Sequence, residues 1–204
     1  AYLAHPVTAP LFLHKISRRQ VRQYKRRERI SLGAGDVIVC VDESGSTEFD
    51  DKDAWAKAIA YALVDKVGSQ GRCASVIHFS SASEVSEDLF IPGQYTSEDV
   101  MNSARHFYCG GTNYEAPLRK AVSTLDSGVL SKADIVFITD GQCSISSVFQ
   151  DWLCAKLSEH HASITGVLLD SGNNFEFSLK GFCKTIYRTS ELAPSEILSE
   201  LVLS

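Results

Sequence analysis

The sequence predicts an α/β fold in which helices cover both faces of a mostly parallel sheet with one antiparallel edge strand. Three observations predict it. From Asp36 onward, apolar runs of strand length alternate with segments of helical periodicity, the pattern of repeated strand–helix–strand units. Val37–Val41 and Ile135–Thr139 are near-continuous apolar runs, as expected of strands buried on both faces. Ala74–Phe79 and the more alternating Glu84–Ile91 follow each other across a short gap with no helix between, which reads as a hairpin and supplies the antiparallel edge.

Taken in order, Val37-Ile38-Val39-Cys40-Val41 opens the sheet, and Trp55, Ile59, Ala62 and Leu63 then recur at helical spacing. After the hairpin, Thr96-x-x-Asp99 is a capping-box signature that opens a helix through about Phe107. The loop Cys109-Gly110-Gly111-Thr112-Asn113 precedes a helix from about Tyr114 to Leu125. Past the Ile135–Thr139 strand, Val148–Leu157 is a helix with Phe149, Trp152 and Leu153 as core residues. Ile164–Leu169 and Thr185–Tyr187 are two further strands, and Ser195–Leu203 reads as a closing helix. These lengths imply a Rossmann-like three-layer α/β/α domain over residues 35–204. Residues 1–34 read as a basic N-terminal extension or linker, closed by Gly33-Ala34-Gly35, in which Ile16, Val21 and Tyr24 hint at a helical stripe.

Composition bounds the function classes. The 204 residues suit one domain with a proper core, and no apolar run reaches the roughly 18–20 residues that a spanning helix needs. Residues 1–13 lack the basic region of a signal peptide, and the missing initiator Met suggests a fragment or a processed chain. Six scattered cysteines without a C-x-x-C pair favour a reducing, cytoplasmic setting over a disulfide framework. The net charge of −5 hides an asymmetry: residues 15–29 hold eight Lys/Arg against Glu28 alone, so the remainder is strongly acidic. Such an arm suits nucleic acid, an anionic membrane surface or an acidic protein face, unless it is simply a solvated linker.

Chemistry concentrates in three loops: Asp42-Glu43-Ser44-Gly45-Ser46, Gly110-Gly111-Thr112 and Asp140-Gly141. The first and third follow predicted strands, and open α/β sheets hold ligands beyond the carboxyl ends of their strands. Asp42 and Asp140 with Ser44, Ser46 and Thr112 offer two carboxylates and three hydroxyls, an oxygen-only set that suits a hard cation such as Mg²⁺. Asp42, Ser44 and Ser46 at i, i+2 and i+4 converge on one point in extended or tightly turned backbone, whereas a helix would spread them. Each piece has a plainer reading. Asp42 and Asp140 are also good turn initiators, and Thr112-x-x-Glu115 is also a capping box.

An Asp-x-Ser-Gly-Ser after an apolar strand, a later Gly-Gly-Thr, and a strand ending Thr-Asp-Gly together resemble the metal-ion-dependent adhesion site of von Willebrand factor A domains. The resemblance covers roughly residues 36–204 and matches at Asp42, Ser44, Ser46, Thr112 and Asp140. It implies that Ser44, Ser46 and Thr112 or Asp140 hold Mg²⁺ (Mn²⁺ or Ca²⁺ as alternatives), partly through water. It also implies that one position stays open for a carboxylate from a protein partner, with no bond broken, so the chain would be a binding module and not an enzyme. The basic flank, Cys40 within Asp36–Asp42, and the final position of the module look like the intracellular ViaA/CoxE-like branch, whose members partner MoxR-type AAA+ ATPases. The other reading is an RNA- or ribonucleoprotein-associated member that uses residues 15–29.

One departure from the pattern stands out. Thr47 replaces the common Met after Ser46, and Glu48, Asp50, Asp51 and Asp53 follow, so that with Asp42 and Glu43 six carboxylates lie within twelve residues. They strengthen the local field for a cation and repel an acidic ligand. Either the partner surface is of mixed charge, or one of these acids fills the open position, or the run is an ordinary solvated loop. Cys109 and Cys143 adjoin the metal loops and read as packing residues or bystanders; His78, His106 and the His160-His161 pair read as structural. No phosphate-binding, dinucleotide or hydrolase-elbow motif occurs.

Overall fold

The computed structural model describes residues 35–169, 176–191, 196–197 and 201. The basic extension and most of the closing helix therefore lie outside the described residues; Ile197 and Leu201 are both buried. The strands are β1 (Val37–Asp42), β2 (Ala74–Phe79), β3 (Val85–Phe90), β4 (Asp134–Thr139), β5 (Ile164–Leu168) and β6 (Thr185–Arg188). The helices are α1 (Lys52–Ser69), α2 (Ser97–Arg105), α3 (Glu115–Ser127) and α4 (Ser147–His160). A 3₁₀ segment, Gly45–Asp51, leads into α1.

One six-stranded sheet runs in the order β3-β2-β1-β4-β5-β6, with every pair parallel except the β2–β3 edge pair. The hairpin and the antiparallel edge are as the sequence predicts. β1 is buried throughout because its two sets of alternate side chains feed two cores. Val37, Val39 and Val41 join Ile59, Leu63 and Val67 of α1, while Ile38 and Cys40 join Leu118 of α3 and Leu153 of α4.

Several boundaries differ from the sequence reading. The buried stripe of α1 is Ala56, Ile59, Ala60, Leu63, Val64 and Val67, and Trp55 stands 40% exposed outside it. Thr96 and Asp99 form the expected capping box at α2, but the helix ends at Arg105 and His106 already has extended backbone. Phe149 is core, while Trp152 is only half-buried, and the guanidinium of Arg119 lies over both rings at 4.6 and 5.0 Å. Topology then positions the site: β1 is followed in sequence by β2 on one side and flanked by β4 on the other. The crevice beyond their carboxyl ends is thus the switch point of the sheet.

Candidate metal centre

Asp42 is the last residue of β1, and Asp140 follows the last residue of β4, so parallel pairing of these two strands brings both carboxylates to one rim. Both are buried, at 0% and 1% exposure. The chain turns after Asp42 because its Oδ1 accepts from the Ser44 amide at 3.0 Å. In the same way Asp140 Oδ1 accepts from the Gln142 amide at 3.3 Å. The turn-forming reading of each aspartate is therefore correct, and it coexists with a place at the rim. The turn brings Ser44 Oγ within 3.1 Å of Ser46 Oγ, the convergence that their spacing predicts.

The Gly110-Gly111-Thr112 loop is tied to this turn through backbone. Gly45 N donates to Gly110 O at 2.9 Å, Cys109 N donates to Glu43 O at 3.0 Å, and Ser44 forms a parallel bridge with Gly110. A side chain at Gly110 would meet the side-chain ends of Glu84 and Ser80, which would have to shift to admit it. The capping reading of Thr112-x-x-Glu115 does not hold. Asn113 Oδ1 accepts from Ala116 N at 2.8 Å, and Glu115 Oε1 instead accepts from Ser146 Oγ at 2.7 Å and from Ser146 N at 3.1 Å. Helix α3 starts without using Thr112.

A relay that the sequence reading did not single out holds Asp42. Thr139 Oγ1 donates to Asp42 Oδ2 at 2.5 Å, and the buried Tyr114 hydroxyl lies 2.8 Å from Thr139 Oγ1. Since Thr139 spends its proton on Asp42, Tyr114 is the donor in that contact. Burial pushes the Asp42 carboxyl up to about 6; the hydrogen bonds from Thr139 and Ser44 oppose this, and nearby Asp140 adds to it. Thr47 is buried, and its hydroxyl donates to Ser44 O at 2.7 Å, so the residue that departs from the common pattern locks the turn.

The acidic run divides in two. Glu48, Asp50 and Asp51 are exposed, and Asp50 and Asp51 adopt positive φ of 60° and 54° before α1. That bend leaves Lys52 Nζ 3.9 Å from Asp140 Oδ2, a cation set against the rim. Glu43 does not contribute to the rim. It is fully buried on the far side of the turn, where Oε1 meets His78 Nδ1 at 2.6 Å and Oε2 meets His106 Nδ1 at 2.7 Å, with Lys57 Nζ at 3.6 Å. His78 and His106 thus belong to a second polar cluster, and Glu43 joins it through contacts that only the tertiary fold reveals. At the rim, Cys109 Sγ lies 3.7 Å from Glu48 Oε2, and desolvation with the Glu48 charge holds that thiol above its usual value, which disfavours a reactive thiolate. His160 pairs with Asp126 at 2.8 Å.

The donor set fits a hard divalent cation: two buried carboxylates and two touching hydroxyls, with a third hydroxyl in a loop pinned beside them. Residues 37–142, just over half of the chain, match the von Willebrand factor type A domain, and the chain belongs to that family. It resembles two uncharacterized proteins of Methanocaldococcus jannaschii, MJ0811 and MJ0077. The first is 25% identical over 91% of this chain and 42% of its own length; the second is 27% identical over 93% and 47%. The chain thus spans less than half the length of either relative. The fold also matches a von Willebrand factor type A structure from Catenulispora acidiphila (TM-score 0.60, 16% identity, 81% of this chain and 40% of that one). It matches proximal thread matrix protein 1 of the mussel byssus, solved with a zinc-occupied adhesion-site motif (TM-score 0.59, 21% identity, 82% and 46%). No described helix is long and apolar enough to cross a membrane.

Proposed function

We propose that the chain is a metal-dependent protein-binding module and not an enzyme, with Asp42, Ser44, Ser46, Thr112 and Asp140 holding Mg²⁺ at the sheet switch point. The observation that carries this reading is the 3.1 Å approach of Ser44 and Ser46 hydroxyls beside two buried carboxylates brought together by β1 and β4. A divalent ion there supplies Lewis acidity for a carboxylate oxygen of the partner. The chain's own part is to preorganise the donors. Tyr114 and Thr139 fix Asp42, Thr47 locks the turn, and the Gly110 bridge ties the loop that contains Thr112 to that turn. The mussel protein's zinc-occupied motif supports a divalent ion in this fold, and the oxygen-only donors here favour Mg²⁺ over softer metals.

The partner in this reading donates an Asp or Glu from a surface that also carries basic residues, which offset Glu48, Asp50 and Asp51 at the rim. The ViaA/CoxE-like resemblance makes a MoxR-type AAA+ ATPase the first candidate, and six unpaired cysteines suit a cytoplasmic setting. The test is capture of a MoxR-type ATPase on immobilised protein with Mg²⁺, with excess chelator, and with Asp42→Ala. The reading expects capture only by the wild type with Mg²⁺. Equal capture in all three arms contradicts it.

A further inference from the structure

We propose that Glu43, His78 and His106 form a second metal site, for a transition ion of the Zn²⁺ class, independent of the Mg²⁺ reading and behind it in the fold. Three elements supply it: the turn after β1, strand β2, and the segment after α2. One ligand atom from each residue lies within 4.8 Å of the others, and Glu43 and His78 are fully buried. Two imidazoles and a carboxylate are a Zn²⁺ donor set, chemically unlike the all-oxygen rim.

The ring orientations suit an ion. The Nδ1 of each histidine faces a Glu43 oxygen, at 2.6 and 2.7 Å, so Nδ1 is the atom that each ring turns toward the cluster. A neutral imidazole that binds an ion through Nδ1 carries its N–H on Nε2. For His78 the acceptors of that N–H already stand in place, Ser103 Oγ at 3.1 Å and Asp88 Oδ2 at 3.3 Å. A carboxylate and a hydroxyl behind a ligating histidine are the outer-shell arrangement that orients imidazoles on metals. His106 lines a groove of ≈ 570 Å³ between β3 and α2, which gives the ion an entry path and leaves a fourth coordination position for water. Metal–ligand bonds of about 2.0–2.1 Å set tetrahedral ligands roughly 3.3 Å apart, so the two hydrogen-bonded contacts must open by about 0.6–0.7 Å. His106, with a side chain 36% exposed at the end of a short helix, is the member free to make that movement.

Lys57 sets the affinity. Its ammonium lies 3.6 Å from Glu43 Oε1 and is anchored by donating to the His106 carbonyl, so its charge opposes a dication without blocking it. The test is titration of Co²⁺ into the Asp42→Ala protein, whose rim site is disabled, followed by visible absorption and competition with Zn²⁺. Nitrogen-rich tetrahedral Co²⁺ absorbs strongly, whereas all-oxygen octahedral Co²⁺ absorbs weakly. The expected result is an intense band saturating at one equivalent, weakened at least tenfold in affinity by adding His106→Ala and tightened about tenfold by Lys57→Met. Circular dichroism of the His106→Ala variant confirms that it is folded. Absence of the band in a folded Asp42→Ala protein, or an unchanged Co²⁺ affinity on adding His106→Ala to it, overturns the proposal. Neither result bears on whether the wild type binds Mg²⁺.

Discussion

Asp42 meets two opposed demands: it is buried, which favours the protonated acid, and it must be ionised to face a cation. The sign of its pH dependence follows. Its carboxyl titrates at about 6 in the fold, above an ordinary Asp near 3.9, so between these values the native state binds the extra proton. The metal-free protein therefore loses stability from this group as pH rises through about 4 to 6. Mg²⁺, which requires the carboxylate, binds more weakly as pH falls below about 6 and releases close to one proton per ion near pH 5. Calorimetry in buffers of different ionisation enthalpy reads that release; no buffer dependence contradicts it. Lys52 acts on the same charge balance. Its ammonium 3.9 Å from Asp140 partly neutralises the rim, so Lys52→Met tightens Mg²⁺ binding by on the order of tenfold, measured by the same titration. The approach of the Ser44 and Ser46 hydroxyls was legible in the sequence because their spacing is local. Tyr114 and Thr139 were passed over because their role depends on side chains meeting across the sheet. Glu43 was read as one more rim acid because its partners His78 and His106 lie 35 and 63 residues away.

Gly141 shows how an element's end controls the site. It follows Asp140 with φ of 86°, a conformation that costs a residue with a Cβ about 1–2 kcal/mol. Gly141→Ala is expected to lower unfolding free energy by that amount in chemical denaturation and to weaken Mg²⁺ binding by shifting Asp140. An unchanged midpoint and affinity contradict the assignment. All six strands were legible to within a residue or two, since buried parallel strands carry continuous apolar runs that few other structures need. The 3₁₀ segment at Gly45–Asp51 was not read, because a short acidic stretch has no apolar period and its bend depends on two aspartates at positive φ. Trp55 matched the helical spacing of α1 yet lies off its buried face: i, i+4 spacing identifies a stripe but does not say which of two adjacent stripes the sheet covers.

For the whole molecule, the sheet order places the reversal of direction between β1 and β4, and the two carboxylates of the rim come from the ends of these two strands. That placement was legible only as a rule about α/β sheets, because a single sequence names strands without giving their order. The charge asymmetry separates residues 15–29 from an acidic domain, which by itself offers little attraction to a phosphate backbone. The central claim, a divalent cation centre built on Asp42, is tested most directly by calorimetric titration of Mg²⁺ into metal-free protein beside the Asp42→Ala variant. The account predicts saturable binding at one site in the wild type and its loss in a folded variant. Equal binding by both proteins, or no binding by the wild type, would contradict it.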